Sequence, residues 1–123
     1  MELNHKEIII KIIDWLKEKK AENILHFDLK DKSDLTDSMI ICHGTGELHT
    51  KAIAENVIQK SKEQKIHIFA TEGLGNATWI LIDFIDIIVH IFNEDTRNYY
   101  KLEELWNVNH HNKKDVEADY VKS

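Results

Sequence analysis

The sequence contains no proline, a single cysteine and no apolar run long enough to cross a membrane. Because proline is absent, it cannot mark a linker or a domain boundary. One cysteine excludes an internal disulfide framework and a cysteine-based zinc finger. A membrane helix needs roughly 18 uninterrupted apolar residues, and the N-terminus lacks the pattern of a signal or transit peptide. A reducing cytoplasm is therefore the expected compartment.

Positive charge is also scarce: the chain has 16 Lys and Arg but 22 Asp and Glu, which gives a net charge of −6. Binding to a free nucleic-acid backbone needs clustered Lys and Arg, so we do not expect direct nucleic-acid binding. The acidic balance favours a basic protein partner weakly. Many acidic proteins, however, are acidic for solubility alone.

The pattern of apolar residues predicts an α/β domain. With 123 residues, 42 % of them hydrophobic, the chain suits one globular domain, 1–106, followed by a polar C-terminal tail, 107–123. The predicted helices are 3–20, 47–64 and 94–106, and the predicted strands are 23–29, 38–43, 66–70, 78–83 and 86–92. The order is α-β-β-α-β-β-β-α, so we expect a mixed five-stranded sheet with flanking helices.

The segment 38–70 should form a strand–helix–strand unit, a right-handed crossover between parallel strands. Gly44-Thr45-Gly46 joins its first strand to its helix, and Thr45 is expected to cap that helix. Asn93 is the expected cap of the last helix. Cys42, in the first strand of the unit, is expected to be a small core residue.

Residues 78–92, TWILIDFIDIIVHIF, are the most apolar run in the chain, yet they hold two carboxylates and a histidine. A hairpin with a short loop centred on Phe84-Ile85 would place Asp83 opposite Asp86, Leu81 opposite Ile88 and Trp79 opposite His90. A β-branched Ile85 resists the positive φ of a two-residue turn. A four-residue loop is therefore the alternative, and it keeps the same alternation of side chains.

Alternation separates this hairpin into two faces. The first face is entirely aliphatic and belongs against helices; it consists of Ile80, Ile82, Ile87, Val89 and Ile91. The second face carries Trp79, Leu81, Asp83, Asp86, Ile88 and His90. Apolar anchors bordered by carboxylates are typical of a docking patch. The alternative is that another helix covers this face and makes Trp79 a core residue.

Catalysis is a less favoured reading of the same residues. Paired carboxylates such as Asp83 and Asp86 can share a proton or bind a metal, but no third ligand and no His-x-x-x-His pair is evident. Cys42 and His43 point to opposite faces of a strand. Gly44-Thr45-Gly46 lacks the Lys of a Walker loop, and the strand predicted at 66–70 carries no acid. We expect no catalytic residue, metal or cofactor.

Three blocks of the sequence resemble the Iojap/RsfS family of ribosomal silencing factors. They are DSMIICHGTGELH at 37–49, EGLGNATWILIDFIDIIVHIF at 72–92 and RNYYKLEELW at 97–106, and the similarity spans about residues 6–106. Their order and spacing match the family. Three residues depart from its pattern: Gly46 replaces Ser, Glu47 stands where a basic residue is frequent, and Ile85 replaces Gly.

The resemblance implies a non-enzymatic factor that binds the large ribosomal subunit through its fourteenth protein and sterically blocks joining of the small subunit. It also implies repression of translation when nutrients are scarce, a nucleotidyltransferase-like fold without the catalytic acids, and a possible homodimer. The implied contact surface centres on the Trp block, so the expected partner-binding residues are Trp79, Leu81, Asp83, Phe84, Asp86, Ile88 and His90. Two alternatives stay open: a metal-dependent nucleotide-transferring enzyme, and a homodimeric scaffold without a ribosomal role.

Overall fold

The structure, a computed structural model of the chain, describes residues 3–31 and 36–100. Its helices are α1 (His5–Glu18), α2 (Glu47–Glu63) and α3 (Glu94–Tyr100). Its strands are β1 (Glu22–Asp28), β2 (Ser38–Gly44), β3 (Ala70–Glu72), β4 (Trp79–Asp83) and β5 (Ile87–Asn93). The predicted order and the mixed α/β class are confirmed. The predicted continuation of the last helix to 106 and the tail 107–123 lie outside the described residues.

The five strands form one mixed sheet in the order β1-β2-β5-β4-β3. The pair β2–β5 is parallel, and the other three pairs are antiparallel. It follows that β2 and β3, which flank α2 in the chain, run in the same direction. They are not neighbours, however, because β5 and β4 lie between them. The connection through α2 therefore carries the chain from the interior of the sheet to its edge.

The third strand was predicted at 66–70, and this prediction is wrong in its bounds. Ile66 and Ile68 pack against the core between helices and sheet instead of joining the ladder. Pairing starts only at Ala70, opposite Asp83, because Asp83 is the last residue of β4. Residues before 70 therefore have no β4 residue beside them, apart from one bond from the Phe69 N–H to the Asp83 carbonyl at 2.8 Å.

The β4–β5 hairpin has the predicted alternation but not the first predicted pairing. Trp79 lies opposite Phe92, Leu81 opposite His90 and Asp83 opposite Ile88, a shift of two residues. Four residues, 84–87, separate the last paired positions, so the four-residue alternative is confirmed. The carbonyl of Asp86 accepts the N–H groups of Asp37 and Ser38 at 3.2 and 3.0 Å, which holds Asp86 beside the start of β2 and away from Asp83.

A helix-side core lies between the sheet and helices α1 and α2. The aliphatic face of the hairpin contributes to it as predicted, with every member buried: Ile80, Ile82, Ile87, Val89 and Ile91. The helices add Ile12, Leu16, Ile53 and Val57. Because the shift of the hairpin register is an even number of residues, it leaves this face intact.

Of the two predicted helix caps, Asn93 is confirmed and Thr45 is wrong. Asn93 caps α3, since its Oδ1 accepts the Thr96 N–H at 3.0 Å. Thr45 does not cap α2, whose N-cap is Gly46. Thr45 lies one position too early, and its N–H donates instead to Nδ1 of His49 at 2.9 Å. Cys42 is a core residue as predicted, and burial raises the pKa of its thiol to about 12.

Candidate functional site

The sheet face that turns away from α1 and α2 is the candidate site, and we call its hairpin part the Trp79 face. It consists of Trp79, Leu81, Asp83, Ile88, His90 and Phe92. Phe92 shares the alternation of Ile88 and His90, a signal that the sequence analysis passed over. Among the described residues, the core clusters place α1 and α2 on the other side of the sheet.

This side of the sheet has a buried part and a half-exposed part. Along β1 and β2, the residues Phe27, Met39 and Ile41 are buried and cluster with Phe92. Along the hairpin, Trp79, Leu81 and Ile88 are only partly buried. The Trp79 ring packs against the border of the buried cluster, so the core interpretation describes part of its environment. The docking patch stays a prediction.

Among the described residues, His90 and Phe92 hold the Trp79 ring. Its indole Nε1 donates a hydrogen bond to Nδ1 of His90 at 3.0 Å. Its ring centroid lies 5.0 Å from that of Phe92, with the planes tilted by 33°, within the range in which aromatic pairs attract. Trp79 is thus a rigid apolar element rather than a freely rotating side chain.

His90 is the acceptor that orients this indole. It is 8 % exposed, and burial lowers the pKa of its imidazole to about 4. The ring is therefore neutral near pH 7, and because Nδ1 accepts, its proton sits on Nε2. The chemistry expected of a catalytic histidine, exchange of a proton near neutral pH, does not suit this environment.

The two carboxylates of the hairpin have different places. Asp83 accepts the Ile85 N–H through Oδ1 at 2.7 Å and so closes the loop that follows it. Asp86 is exposed and borders the grooves beside α1. The predicted position of Asp86 on the Trp79 face is therefore wrong, because the four-residue loop turns it toward the helix side. Phe84 also packs against the helix-side core.

Two residues outside the predicted site lie at the β3 edge of the sheet. Glu72 in β3 pairs with Leu81 and is exposed, so it adds a second acid next to Asp83. Phe69 is 63 % exposed and lies at the end of β4, where it bonds to Asp83. The half-exposed surface is thus apolar at its centre and acidic at the β3 edge.

A second cluster joins α3 to the sheet and contains, among the described residues, the side chains best placed to hold a metal. Single ligand atoms of Glu22, His43 and Glu94 lie within 4.8 Å of one another. However, Nη1 of Arg97 lies 3.0 Å from Nδ1 of His43. A guanidinium only donates, so Nδ1 accepts and the His43 proton sits on Nε2.

That proton points to Glu22, whose Oε1 lies 3.1 Å from Nε2 of His43. A metal would need the lone pair of this same nitrogen. Arg97 is 3 % exposed and also donates to the Asn23 carbonyl at 2.7 Å. The arrangement is thus a hydrogen-bonded clamp between α3, β1 and β2, and its donor set does not suit a cation.

Comparisons with known proteins bear on the whole chain. The family model described as "RsfS: Ribosomal silencing factor during starvation" matches residues 2–123. A ribosomal silencing factor RsfS from Haemophilus influenzae is 41 % identical over 100 residues, which cover 81 % of this chain and 95 % of that protein. The mouse protein named "Mitochondrial assembly of ribosomal large subunit protein 1" is 26 % identical over 98 residues, covering 77 % and 43 %.

Similarity extends to the fold. The crystal structure of a protein from Chromobacterium violaceum superposes with a TM-score of 0.83 at 31 % identity, covering 85 % of this chain and 88 % of that one. Within the described residues, no helix combines the length and the apolar composition that a bilayer span requires.

Proposed function

The chain belongs to the RsfS family of ribosomal silencing factors, and from this premise we propose that it is a non-enzymatic factor that prevents joining of the ribosomal subunits. In this proposal it binds the large subunit in the cytoplasm through the fourteenth large-subunit protein. The bound molecule then occupies space that the small subunit needs, which represses translation. The name of the mouse relative, which refers to the large subunit, supports the choice of subunit.

The observation that carries the proposal is the half-exposed Trp79 face. Binding energy at protein interfaces concentrates in a few aromatic and apolar anchors surrounded by polar groups. Trp79, with its ring held by His90 and Phe92, is such an anchor. Leu81 and Ile88 extend the apolar area, and a preorganised surface loses little side-chain entropy on binding.

Charge supports a basic partner on the ribosome. The chain has a net charge of −6, and Asp83 and Glu72 border the apolar centre of the face. An acidic rim steers a basic partner toward the surface and increases the association rate more than the final affinity. We therefore expect association to slow as the salt concentration rises, while the dissociation rate changes less.

The nucleotide-transferring alternative has less support from the geometry. It needs Asp83 and Asp86 to hold a metal ion together, but Asp83 closes the loop through Ile85 and Asp86 lies on the helix side. The homodimeric alternative uses the same Trp79 face for self-association. Co-sedimentation distinguishes it, because a scaffold that only self-associates would not sediment with ribosomal subunits.

The test is sedimentation with purified subunits. The full chain should co-sediment with large subunits and not with small ones. Preincubated with large subunits, it should also reduce the 70S peak that forms when small subunits are added at a magnesium concentration that favours joining. Equal binding to both subunits, or an unchanged 70S peak at saturating protein, would contradict the proposal.

A further inference from the structure

A groove lies on the helix side of the sheet, between α1, the segment that follows α2 and the β4–β5 loop. Its volume is about 860 Å³, within the range of roughly 300–1,000 Å³ common for small-molecule sites. Its apolar residues are Leu3, Ile8, Ile66, Phe84 and Ile87. The groove is on the opposite side of the sheet from the Trp79 face, so docking of a partner at that face does not explain it.

Two lysines give this groove a charge unlike that of the whole chain. Lys11 and Lys65 line it, against a single acid, Asp86. Within residues 3–31 and 36–97, neither lysine forms an ion pair or a side-chain hydrogen bond. In a chain with a net charge of −6, two unpaired cations beside an apolar wall favour an anionic ligand.

Both lysines start from rigid backbone. Lys11 belongs to the middle of α1. Lys65 follows α2 in the left-handed conformation, with φ of 60°. Its N–H donates to the Lys62 carbonyl at 3.2 Å, and the next N–H, that of Ile66, donates to Ser61 at 2.8 Å. This pair of bonds is the Schellman ending of a helix, which fixes where the Lys65 side chain begins.

We propose that this groove binds a small organic anion with an apolar body. Lys11 and Lys65 supply the charge that attracts the anionic group, and Ile8, Ile66 and Phe84 provide the apolar surface that the body covers. A nucleoside monophosphate and a medium-chain carboxylate share this chemistry. The proposal does not depend on the ribosomal role, since a chain that fails to bind ribosomes would retain the groove.

The first experiment uses 8-anilinonaphthalene-1-sulfonate, a fluorescent probe with one sulfonate on an aromatic body. Titrated into the full chain at low salt, it should bind saturably at one site. Lys11→Gln and Lys65→Gln should each weaken binding by about fivefold, as expected for the loss of one partly screened charge contact. Lys17→Gln is the matched control, because Lys17 is an exposed cation of the same helix outside the groove.

Two further arms separate charge from apolar contact and identify the ligand class. N-phenyl-1-naphthylamine, which has the same rings without the sulfonate, should bind more weakly than the anionic probe. Adenosine monophosphate and octanoate are then added as competitors, and displacement by one of them identifies the source of the anion. Urea denaturation shows whether a variant is partly unfolded. If it is, the proposal is judged on the difference in affinity between the charged and the neutral probe for the native chain.

The proposal is overturned by any of three results. These are an anionic-probe affinity that neither lysine substitution changes, equal binding of the charged and neutral probes, and failure of both competitors to displace the probe.

Discussion

The indole Nε1 of Trp79 donates to Nδ1 of His90 across 3.0 Å, and this bond joins a partly buried tryptophan to a buried neutral histidine. The bond exists only while Nδ1 carries no proton, because a protonated imidazole has two donors and no acceptor. The orientation of the Trp79 ring is therefore linked to the protonation state of His90.

The stability of the fold should accordingly fall in mild acid. Burial lowers the pKa of His90 and of His26 to about 4, whereas an unfolded histidine titrates near 6.5. Between these values the unfolded chain binds more protons, so the free energy of unfolding decreases as the pH falls from 6.5 toward 4. The slope is up to about 1.4 kcal/mol per pH unit for each of the two histidines.

Urea denaturation at pH 7, 6, 5 and 4.5 measures this slope. In His90→Gln the amide oxygen can still accept from the indole. This substitution should remove up to half of the pH slope that His26 and His90 produce together. His67→Gln is the control, since His67 is exposed. An equal pH slope in His90→Gln and in the native chain would show that His90 does not titrate as described.

The β4–β5 loop should gain stability from glycine at position 85. Ile85 has φ of 78°, and the Asp86 N–H donates to the Phe84 carbonyl at 3.0 Å across it, which makes a γ-turn with positive φ. A β-branched residue is strained there. Ile85→Gly should therefore raise the free energy of unfolding by about 0.5–1 kcal/mol after the entropy cost of glycine. Ile85→Ala is the control, and a loss of stability with both would refute this explanation.

Gly73 should be the least tolerant glycine of the described chain. It has φ of 84°, and a Cβ at this position would overlap the carbonyl oxygen of Trp79. Gly73→Ala should cost about 3 kcal/mol or more, because the strained backbone and the overlap with a strand both oppose it. Gly75→Ala is the matched control, since a Cβ there meets nothing within 4 Å. Thermal denaturation should separate the two variants, and equal melting temperatures would contradict this assignment.

Arg97 is the only arginine of the chain and lies buried in the clamp of α3. Arg97→Met keeps much of the length of the side chain but removes the donors to His43 and Asn23. Leaving the buried His43 nitrogen and the Asn23 carbonyl without this donor should cost about 1–3 kcal/mol. Lys17→Met, at an exposed cation of α1, should change stability by less than about 0.5 kcal/mol. Similar denaturation midpoints for both variants would show that the clamp contributes little.

The faces of the hairpin could be predicted from sequence because alternation survives any even shift of register. The pairing itself could not, since it depends on the loop, and the loop is set by bonds to distant residues: the Asp86 carbonyl accepts from Asp37 and Ser38. For the same reason Asp86 was assigned to the wrong side. The limits of β3 likewise depend on where β4 ends, which no local pattern of residues 66–72 reveals.

The contacts of Arg97 in the clamp could not be predicted from sequence for a related reason. Arg97 and His43 are separated by 54 positions, and neither belongs to a pattern whose spacing predicts a contact. By contrast, Phe92 could have been assigned to the Trp79 face from alternation alone. The other residues of that face, Trp79, Leu81, Asp83, Ile88 and His90, follow from both the pattern and the family resemblance, and their role in binding a partner stays a prediction.

The most direct measurement of the central claim is co-sedimentation of Leu81→Arg with purified large subunits. Leu81 is half-buried at the centre of the Trp79 face, and a cation there opposes a basic partner. Ile10→Arg is the matched control, since Ile10 is 48 % exposed on α1, on the other side of the sheet. We predict that Leu81→Arg weakens binding by about 2 kcal/mol or more, roughly 30-fold, while Ile10→Arg binds like the native chain. Native affinity in a folded Leu81→Arg variant would contradict docking through this face.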